Sequence, residues 1–413
     1  MEVNKKISVG KYSLIKKVNM TLILDVIRKK GPISRIEIAE LTNLTPATVT
    51  NITSELIDSK LIVEGEVGES SGGRKPIMLR IRSDYYRVIG VYIGARKIKI
   101  MVSDLMANSK YNKEISYEES DISYEEIAEI MEAEIKSIKE KYENQGKKVV
   151  GIGIGINGIV DTANGVLIFA PNLSWRNVRI KEELENKFNI PVFVDNNTRT
   201  MALGESWFGT GKNSNNFFCM NIDYGVGGSF FLEDKIYRGI SFGAGEIGHT
   251  TVDINGEMCS CGNRGCLETV ASVKSLRKKV YEGYISNKKS MIFEGRQINS
   301  IEDIHSAYIF EAANMGDEFA ISLIRQVGEK IGIGIANIIN TLNPELVIIN
   351  GEIISTGEIL LEPIRQTVLE RGFRSSVNAT KIVLSKLGSI AYLKGAVALA
   401  TQHIFEDPES LAK

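Results

Sequence analysis

The sequence predicts an N-terminal winged helix-turn-helix followed by a larger, two-lobed α/β body. In residues 20–82, three segments with helical spacing of apolar residues precede two strand-like runs around a Gly/Ser-rich stretch. From residue 83 onward, buried strand patterns alternate with amphipathic helices, and strand–glycine–strand hairpins recur. We therefore expect three domains: the winged helix-turn-helix at 1–82, a first lobe at 83–195 completed by 385–413, and a second lobe at 196–384.

The composition is that of an ordinary globular protein. Of the 413 residues, 43% are hydrophobic and 24% are charged, which suits two or three compact units. No apolar run approaches the ~20 residues of a membrane helix, and the basic N-terminus lacks the apolar core of a signal peptide. We expect a cytoplasmic protein without membrane partners, in which clustered thiols would bind metal rather than form disulfides.

Charge is distributed unevenly along the chain. Residues 1–82 contain 14 Lys and Arg against 9 Asp and Glu, a net +5, whereas the remainder contains 36 against 42, a net −6. A basic N-terminal part on an acidic body is typical of a protein that meets a polyanion with one end. Charge alone fits chance variation equally well.

The first two predicted helices have clear ends. Residues 20–31 carry apolar residues at helical spacing and end at a Gly-Pro pair. Residues 34–43 begin with a capping box, because Ser34 is followed three residues later by Glu37. Apolar contacts of this second helix are expected from Ile36, Ala39 and Leu41.

The third predicted helix, within residues 45–62, has a small and polar outer face. It begins with Thr45 as N-cap and Pro46 at the first helical position. A helix after a helix and a tight turn forms a helix-turn-helix, and short polar side chains let it approach base edges in the major groove. A plain three-helix bundle is the alternative. The expected DNA-contacting residues are Thr45, Ala47, Thr48, Thr50 and Asn51.

Residues 61–81 are interpreted as the wing. They read as a strand, a Gly/Ser-rich turn and a second strand, with Arg74 and Lys75 beside two glycines at the tip or just past it. A flexible cationic loop suits phosphate or minor-groove contact. Operator DNA is therefore the expected partner of the N-terminal domain.

The body repeats a small set of strand and helix patterns. A single glycine turn such as GVGG is weak evidence, but the repeated pattern favours two similar lobes. The predicted pieces are a strand pair at 88–105 hinged at Gly94, a long helix at 122–145, a strand and glycine loop at 149–161, a strand and helix at 191–205, a hairpin at 217–231, and a helix and strand at 331–351.

Three of the four cysteines lie within HTTVDINGEMCSCGNRGCLE, residues 249–268. His249, Cys259, Cys261 and Cys266 have the spacing H-x9-C-x-C-x4-C, and three thiolates with one imidazole suit a closed, tetrahedral, structural zinc site with one ion per chain. Four protein ligands leave no position for a metal-activated water, so no metal catalysis is expected. Free cysteines in a loop are the alternative, and the fourth cysteine, Cys219, is expected in the core.

Taken together, these pieces resemble the ROK family (repressors, open reading frames, kinases), and specifically its winged-helix repressor branch. The resemblance covers nearly the whole chain. It implies an actin-like, ROK sugar-kinase-type pair of lobes with a sugar in the cleft. Its most specific motifs are EIGH (246–249), CSCGNRGCLE (259–268), APNLSW (170–175) and SSGGRKP (70–76).

The resemblance also implies which residues contact the sugar. Glu246 and Glu268, on either side of the zinc loop, would accept hydrogen bonds from sugar hydroxyls, and His249 could touch the sugar with the ring nitrogen that does not bind zinc. Taken singly, each carboxylate could instead be a solvated surface charge. Further sugar-binding positions are Asn172, Asn196 and Asn197.

Four departures from the family's kinases argue against catalysis. Kinases of the family carry an aspartate base where this chain has Asn197, and an amide cannot take the proton of a sugar hydroxyl. The first phosphate loop, approximately D-I-G-G-T-K in the kinases, begins here with Tyr92. The second phosphate loop contains Asp223, whose charge would repel a triphosphate, and the adenosine-side glycines are replaced around Glu352. We therefore predict a protein without catalytic residues.

The expected function is that of a sugar-responsive transcriptional repressor. It would bind a palindromic operator as a homodimer or higher homo-oligomer, and a sugar would shift the balance between two arrangements. The SSGGRKP and NLSW segments resemble xylose-operon repressors of the family, so xylose leads and glucose or another hexose follows. The alternatives are an ATP-dependent sugar kinase with a DNA-binding appendage, and a repressor controlled by a partner protein.

Overall fold

The computed structural model describes residues 7–67, 75–117, 122–170 and 173–412. The chain divides into two compact units: unit 1 is Met1–Asp195 with Ala396–Lys413, and unit 2 is Asn196–Gly395. Unit 1 therefore contains the N-terminal part together with the first α/β lobe. The three-domain division with a boundary at residue 82 stays a prediction.

The N-terminal part of unit 1 has three helices and a three-stranded sheet in the order β1-β3-β2. The prediction put the start of the first helix too late. The helix begins at Ile7 rather than at residue 20, because no proline interrupts the Lys-, Leu- and Ile-containing stretch that precedes residue 20. The elements are α1 (Ile7–Lys30), β1 (Ile33–Ser34), α2 (Arg35–Thr42), α3 (Pro46–Asp58), β2 (Ile62–Val67) and β3 (Ile77–Ile81).

The helix caps and the buried face of α3 agree with the sequence. Ser34 and Glu37 form the predicted capping box, and the Thr45 side chain accepts from the Thr48 backbone N–H. The predicted contacts of α2 were partly wrong. Ile36 is 67% exposed and Leu41 is 56% exposed, whereas Ile38 is buried. A helix of only 8 residues offers a narrow face to α1 and α3, and Ile38 is the apolar residue that lies at its centre.

The first lobe is built on a five-stranded sheet in the order β11-β7-β4-β5-β6. β4 pairs antiparallel with β5 and parallel with β7, and α4 packs on β7. A smaller sheet has the order β10-β9-β8. The elements are β4 (Tyr86–Ile93), β5 (Lys97–Ser103), β6 (Ser109–Ser116), α4 (Tyr124–Glu143), β7 (Lys148–Ile156), β8 (Ile159–Asp161), β9 (Val166–Ala170), β10 (Trp175–Val178), α5 (Ile180–Phe188) and β11 (Val192–Asn196).

Unit 2 is built on a second five-stranded sheet, in the order β14-β13-β12-β15-β16. One large apolar core lies between this sheet and the helices, with Val327, Ile331 and Ile335 of the longest helix at its centre. The elements are α6 (Asn197–Phe208), β12 (Phe217–Ile222), β13 (Val226–Leu232), β14 (Lys235–Tyr237), α7 (Leu267–Ala271), α8 (Val273–Ile285), α9 (Ser306–Asn314), α10 (Glu318–Leu342), β15 (Leu346–Asn350), α11 (Glu358–Arg371), α12 (Arg374–Ala379) and β16 (Lys381–Leu384). The last long helix, α13 (Ile390–Glu406), begins in unit 2 and continues into unit 1 from Ala396 onward.

The two large sheets share one strand order. In each, the first strand is central, the second and third follow on one side by antiparallel hairpins, and the fourth and fifth lie on the other side. The predicted pair of similar lobes is therefore confirmed at the level of topology. Within the described part of the chain, no helix combines the length and apolar character that a membrane crossing needs.

Polar contacts connect the winged helix to the rest of unit 1. The Tyr86 hydroxyl of β4 donates to the Ser59 carbonyl at the C-terminal end of α3, at 2.7 Å. On α1, Thr21 Oγ1 donates to the Phe405 carbonyl at 3.1 Å, and Lys17 Nζ lies 3.2 Å from an Asp407 carboxylate oxygen. The end of α3 and the middle of α1 are thus both held by the body.

Candidate DNA-reading helix and sugar site

The outer face of α3 carries small and polar residues, as predicted. Thr45, Ala47, Thr50 and Asn51 are exposed and Thr48 is half-buried. The hydroxyls bond within their own helix: Thr50 Oγ1 donates to the Pro46 carbonyl at 2.8 Å, and the Thr45 and Thr48 hydroxyls are 2.9 Å apart. Short side chains that stay near their own backbone leave room for a close approach to another surface.

The two wing strands are present, and the Arg35 side chain connects one of them to the helices. β2 and β3 pair antiparallel, while Arg35 of α2 donates to Thr53 Oγ1 of α3 at 3.0 Å and to Glu64 of β2 at 2.9 Å. Lys75 is exposed. Arg74 lies outside the described residues, so its predicted role in the wing is not addressed by the structure.

The four predicted metal ligands converge. The ligand atoms of His249, Cys259, Cys261 and Cys266 all lie within 4.8 Å of one another, so these side chains could hold a metal ion. The Sγ atom of Cys259 is 3.6 Å from His249 Nδ1. The backbone N–H of Asn263 lowers the pKa of Cys261, which favours the thiolate that a metal requires.

The loop that carries these ligands is closed by backbone hydrogen bonds. The N–H of Cys259 donates to the Asn263 carbonyl at 2.8 Å, and that of Gly265 donates to the Glu257 carbonyl at 2.8 Å. Gly262 and Gly265 both have positive φ, at 90° and 69°, a backbone conformation that glycine adopts without steric cost in a tight turn. Cys219 is buried in β12, as predicted.

Glu268 stands in the first turn of α7 and reaches the β12–β13 hairpin. Its Oε2 accepts a hydrogen bond from the Val226 backbone N–H at 2.9 Å. This bond ties the end of the His/Cys loop to the hairpin that corresponds to the second phosphate loop of the kinases. One carboxylate oxygen is thus engaged, and the second is the one left to accept from a ligand.

Glu246 lies beside His249 at the other end of the loop. The carboxylate is 4.0 Å from His249 Nε2, and the side chain is 49% exposed. Burial raises the pKa of Glu246, opposed by the positive charges of His249 and Arg199 and reinforced by the negative charge of Glu268. Because half of the side chain is still hydrated, the shift is smaller than a fully enclosed carboxyl would show.

Asn196 and Asn197 both serve the N-terminus of α6. Asn196 is the N-cap, and the amide oxygens of Asn196 and Asn197 each accept from the Thr198 backbone N–H at 2.9 Å. Their amide groups are therefore turned with the oxygen toward the helix, which leaves NH₂ groups as donors. Asn197, which the family resemblance places at the position of the kinase base, is thus the first residue of α6, and its amide oxygen accepts a backbone hydrogen bond there.

The hairpin brings these segments together within unit 2. A Cβ atom added at Gly227 would lie 2.9 Å from Thr198 Cγ2 of α6, so this approach of helix and strand requires glycine. Residues Asn196, Asn197, Glu246, His249 and Glu268 are called the candidate sugar site below. Asn172 lies outside the described residues. Arg199, buried next to this site, was not singled out from the sequence.

The first phosphate-loop position is filled by aromatic side chains. A Cβ at Gly94 would lie 2.7 Å from the hydroxyl of Tyr92, so that ring folds over the glycine. The Tyr117 hydroxyl donates to the Gly94 carbonyl, and burial raises the pKa of Tyr117. In unit 2, Glu352 accepts from the Ser306 hydroxyl at 2.8 Å.

The body matches a known family over most of its length: residues 88–403 match the ROK family. The chain belongs to the ROK family. Residues 20–63 match the winged helix-turn-helix DNA-binding family. The chain is therefore a ROK family transcriptional regulator by architecture, with a winged helix-turn-helix ahead of a two-lobed body of the family's sugar-kinase type.

Several curated relatives that match nearly the whole chain are named as repressors. The xylose repressor of Caldicellulosiruptor bescii is 34% identical over 406 residues, covering 97% of this chain and 99% of the relative. The N-acetylglucosamine repressor of Escherichia coli O6:H1 is 31% identical over 408 residues, covering 97% and 98%. This chain is homologous to repressors whose names carry two different sugars.

Solved ROK structures agree with the fold. A ROK family transcriptional regulator described as a homolog of the E. coli MLC protein superimposes with a TM-score of 0.82 at 31% identity, covering 95% of this chain and 97% of that one. A ROK family glucokinase from Streptomyces griseus, in complex with glucose and AMPPNP, gives 0.68 at 30% identity, covering 76% and 99%. The predicted fold class and family are confirmed.

Proposed function

We propose that this ROK family protein is a sugar-responsive transcriptional repressor. The winged helix-turn-helix binds operator DNA, and a sugar bound at the candidate sugar site changes operator affinity. The observation that carries the proposal is the placement of Glu246 and Glu268 at the two ends of the His/Cys loop, in a chain that has the amide of Asn197 at the kinase-base position. Such a site can bind hydroxyls, and the amide of Asn197 cannot act as the base that takes a proton from a sugar hydroxyl.

In this proposal the His/Cys cluster holds one structural zinc ion per chain. Three thiols and one imidazole within 4.8 Å of one another are the donor set and the spacing that tetrahedral zinc prefers. Zinc supplies a cross-link between the start and the end of residues 249–266. The residues of the chain then do the binding: the loop places Glu246 before it and Glu268 after it, where carboxylates accept from sugar hydroxyls.

Xylose is the first candidate effector, with glucose or another hexose next. The support is the xylose repressor at 34% identity. The N-acetylglucosamine repressor at 31% identity shows that this degree of similarity spans more than one sugar. We therefore include N-acetylglucosamine with xylose and glucose in every test.

A homodimer is the proposed DNA-binding form. Two winged helices are needed to read two half-sites of a palindromic operator. The polar residues of α3, namely Thr45, Ala47, Thr48, Thr50 and Asn51, are proposed to contact bases, and Arg74 and Lys75 of the wing to contact phosphates. Protein that binds chromosomal DNA in a bacterium acts in the cytoplasm, which is the proposed location.

The second candidate function is an ATP-dependent sugar kinase with a DNA-binding appendage. The similarity to a glucokinase in complex with AMPPNP favours it. Against it stand Tyr92 folded over Gly94 and the amide at Asn197. Sugar-dependent ADP release at roughly 1–100 per second, the usual range of kinases, would support the kinase, and its absence would support the repressor.

The deciding experiment is operator release measured across a sugar panel. Full-length protein on a fluorescent operator fragment is titrated with xylose, glucose and N-acetylglucosamine while anisotropy is recorded. Loss of anisotropy with one sugar, at concentrations where the others do nothing, supports the proposal and names the effector. If no sugar changes operator binding, the protein is not sugar-responsive, and control by a partner protein takes its place.

A further inference from the structure

A buried arginine adjoins the candidate sugar site and has no part in the function described so far. Arg199 stands in the first turn of α6, two residues after Asn197, and is only 3% exposed. Burying a guanidinium costs several kcal/mol unless its charge and its N–H groups are matched. A position that carries such a residue therefore needs a reason.

One partner of Arg199 is a loop rather than a side chain. Its Nη2 donates to the carbonyl of Phe242, which lies in residues 238–245. That loop closes on itself through the Ala244 N–H and the Arg238 carbonyl, 3.2 Å apart, and Phe242 has the left-handed φ of 58°. The guanidinium thus bonds to the loop backbone at its left-handed residue.

The loop ends directly at Glu246. Its last residue, Gly245, has a φ of 96°, and a Cβ there would lie 2.3 Å from the Gly228 carbonyl of β13. Ile240 at the tip is fully exposed, so the tip does not pack into the core. The loop is thus held against β13 at one end and against α6 through Arg199 in its middle.

The charge of Arg199 also acts on the site. The negative charge of Glu268 acts unfavourably on an ionised Glu246, and the buried guanidinium of Arg199 acts favourably on it. Two carboxylates can accept from one sugar only if they are kept close together despite like charge. The buried guanidinium of Arg199 supplies an opposing positive charge near Glu246.

We propose that Arg199 is a positioning residue for effector recognition, which sets the place of loop 238–245 and, through it, of Glu246. Arg199 acts without touching the sugar. This inference rests on the proposed sugar site. It adds a residue on α6 that connects the helix capped by Asn196 and Asn197 to the loop that carries the first carboxylate.

The test is a double-mutant cycle on sugar affinity in the full-length, metal-loaded protein. Arg199→Met, Glu246→Gln and the double variant are titrated by calorimetry with xylose, glucose and N-acetylglucosamine. Arg199→Met is expected to weaken binding roughly tenfold, in the range of one lost hydrogen bond to a charged group. Because Arg199 acts through Glu246, the two effects should fall well short of multiplying in the double variant.

Arg277 provides a matched control. It is also buried in unit 2 and also donates from Nη2 to a backbone carbonyl, that of Ile301 at 2.8 Å, but it stands on α8. Arg277→Met removes the same kind of bond elsewhere. It should leave sugar affinity unchanged even if it lowers the melting temperature, and its effect should be independent of Glu246→Gln.

The outcomes separate this inference from the proposed function. If the wild type binds none of the three sugars, the proposed sugar site itself fails and the inference fails with it. If the wild type binds sugar and Arg199→Met matches it, or if the two substitutions simply multiply, Arg199 has only a structural role. Should Arg199→Met not fold, Arg199→Lys, which keeps the charge but not the forked geometry, enters the same cycle and must weaken binding by an intermediate factor.

Discussion

The polar outer face of α3 is formed by residues that are close together in the sequence, whereas the candidate sugar site is formed by residues that are far apart in it. On α3, Thr45, Thr48 and Thr50 lie within six residues, and their hydroxyls bond to one another or to the same helix. In the sugar site, Glu268 bonds to Val226, 42 residues away, and Arg199 bonds to Phe242, 43 residues away. One surface is organised by a single helix, and the other by the packing of four separate segments.

This contrast predicts how the two surfaces respond to change. A substitution on the exposed face of α3 removes one contact and leaves the helix in place, because caps and a buried face hold it. A substitution in the sugar site disturbs segments that depend on one another. The two surfaces should therefore be separable by mutation, with larger and more coupled effects in unit 2.

The largest effect is expected from loss of a metal ligand. Cys259→Ser should remove about one zinc ion per chain and abolish the sugar response, because the loop between Glu246 and Glu268 loses its cross-link. Metal analysis and operator release measure the two consequences. Cys219→Ser is the control, since Cys219 is buried in β12 away from the cluster and its loss should leave the zinc content unchanged. Metal-free Cys259→Ser with a normal sugar response would remove the metal from the mechanism.

The next effect concerns Glu268. Glu268→Gln keeps an oxygen for the Val226 N–H but loses the charge, so sugar affinity should fall by about 1–3 kcal/mol, or 5- to 150-fold. Operator affinity without sugar should not change. The measurement is anisotropy across a sugar titration, at equal zinc content. Glu257→Gln, an exposed loop carboxylate paired with Lys278, is the matched control. An unchanged sugar midpoint in Glu268→Gln would exclude Glu268 from the pocket.

Substitutions in α3 and in the wing should affect operator binding in different ways. Asn51→Ala should change which operator bases are preferred, by about 1–3 kcal/mol at one position. Lys75→Ala should weaken all sequences alike and reduce the slope of log affinity against log salt by about 0.9, the contribution of one phosphate contact. Sugar affinity should stay at the wild-type value in both. If Asn51→Ala weakened binding to all operator sequences equally, Asn51 would contact phosphate rather than bases.

The smallest effect is a pair of opposite pH dependences. The Ser34 backbone and side-chain donors of the capping box lower the pKa of Glu37, so its contribution to stability is present above the usual glutamate pKa and is lost as pH falls through the lowered value. Burial raises the pKa of Glu205, so its contribution is present below the usual value and is lost as pH rises through the raised one. Glu37→Gln should make the urea midpoint less sensitive to acid.

Glu205→Gln should act the other way. Glu205 is buried on α6, where it accepts from the Thr210 N–H at 2.8 Å and from the Ser385 hydroxyl. With the charge removed, the fall in stability between acidic and neutral pH should shrink. Urea unfolding at a series of pH values, followed by circular dichroism, checks both variants. If Glu37→Gln and Glu205→Gln changed the pH dependence of the urea midpoint in the same direction, the opposite pKa shifts assigned to these two residues would be wrong.

The sequence predicted best what depends on neighbours along the chain. The capping box of α2, the Thr45 cap and the buried side of α3 follow from residues three or four apart. The start of α1 was misplaced because the helix before residue 20 carries no capping signal in the sequence, and Ile36 and Leu41 were expected inside because helical spacing does not say which neighbouring element a short helix meets.

In the candidate sugar site, the sequence predicted only those residues that belong to recognisable motifs. The spacing of His249 and the three cysteines, together with the family resemblance, was sufficient to name the ligand set. The resemblance named the two carboxylates but said nothing of the Val226 bond that holds Glu268. Arg199 was missed altogether, because an arginine in a polar helix start reads as a solvent-facing charge until the loop that covers it is known.

By itself, then, the sequence determined that a winged helix-turn-helix precedes the body, the helix α3 with its caps, the four residues of the His/Cys cluster, and the amide at Asn197. Each of these is a property of residue type or of spacing within a few residues. Only the tertiary structure decided that Glu205 is buried with a raised pKa and that Arg199 holds loop 238–245. Those facts depend on contacts between distant segments, and burial and charge acquire their effect only when such segments exclude water from one another.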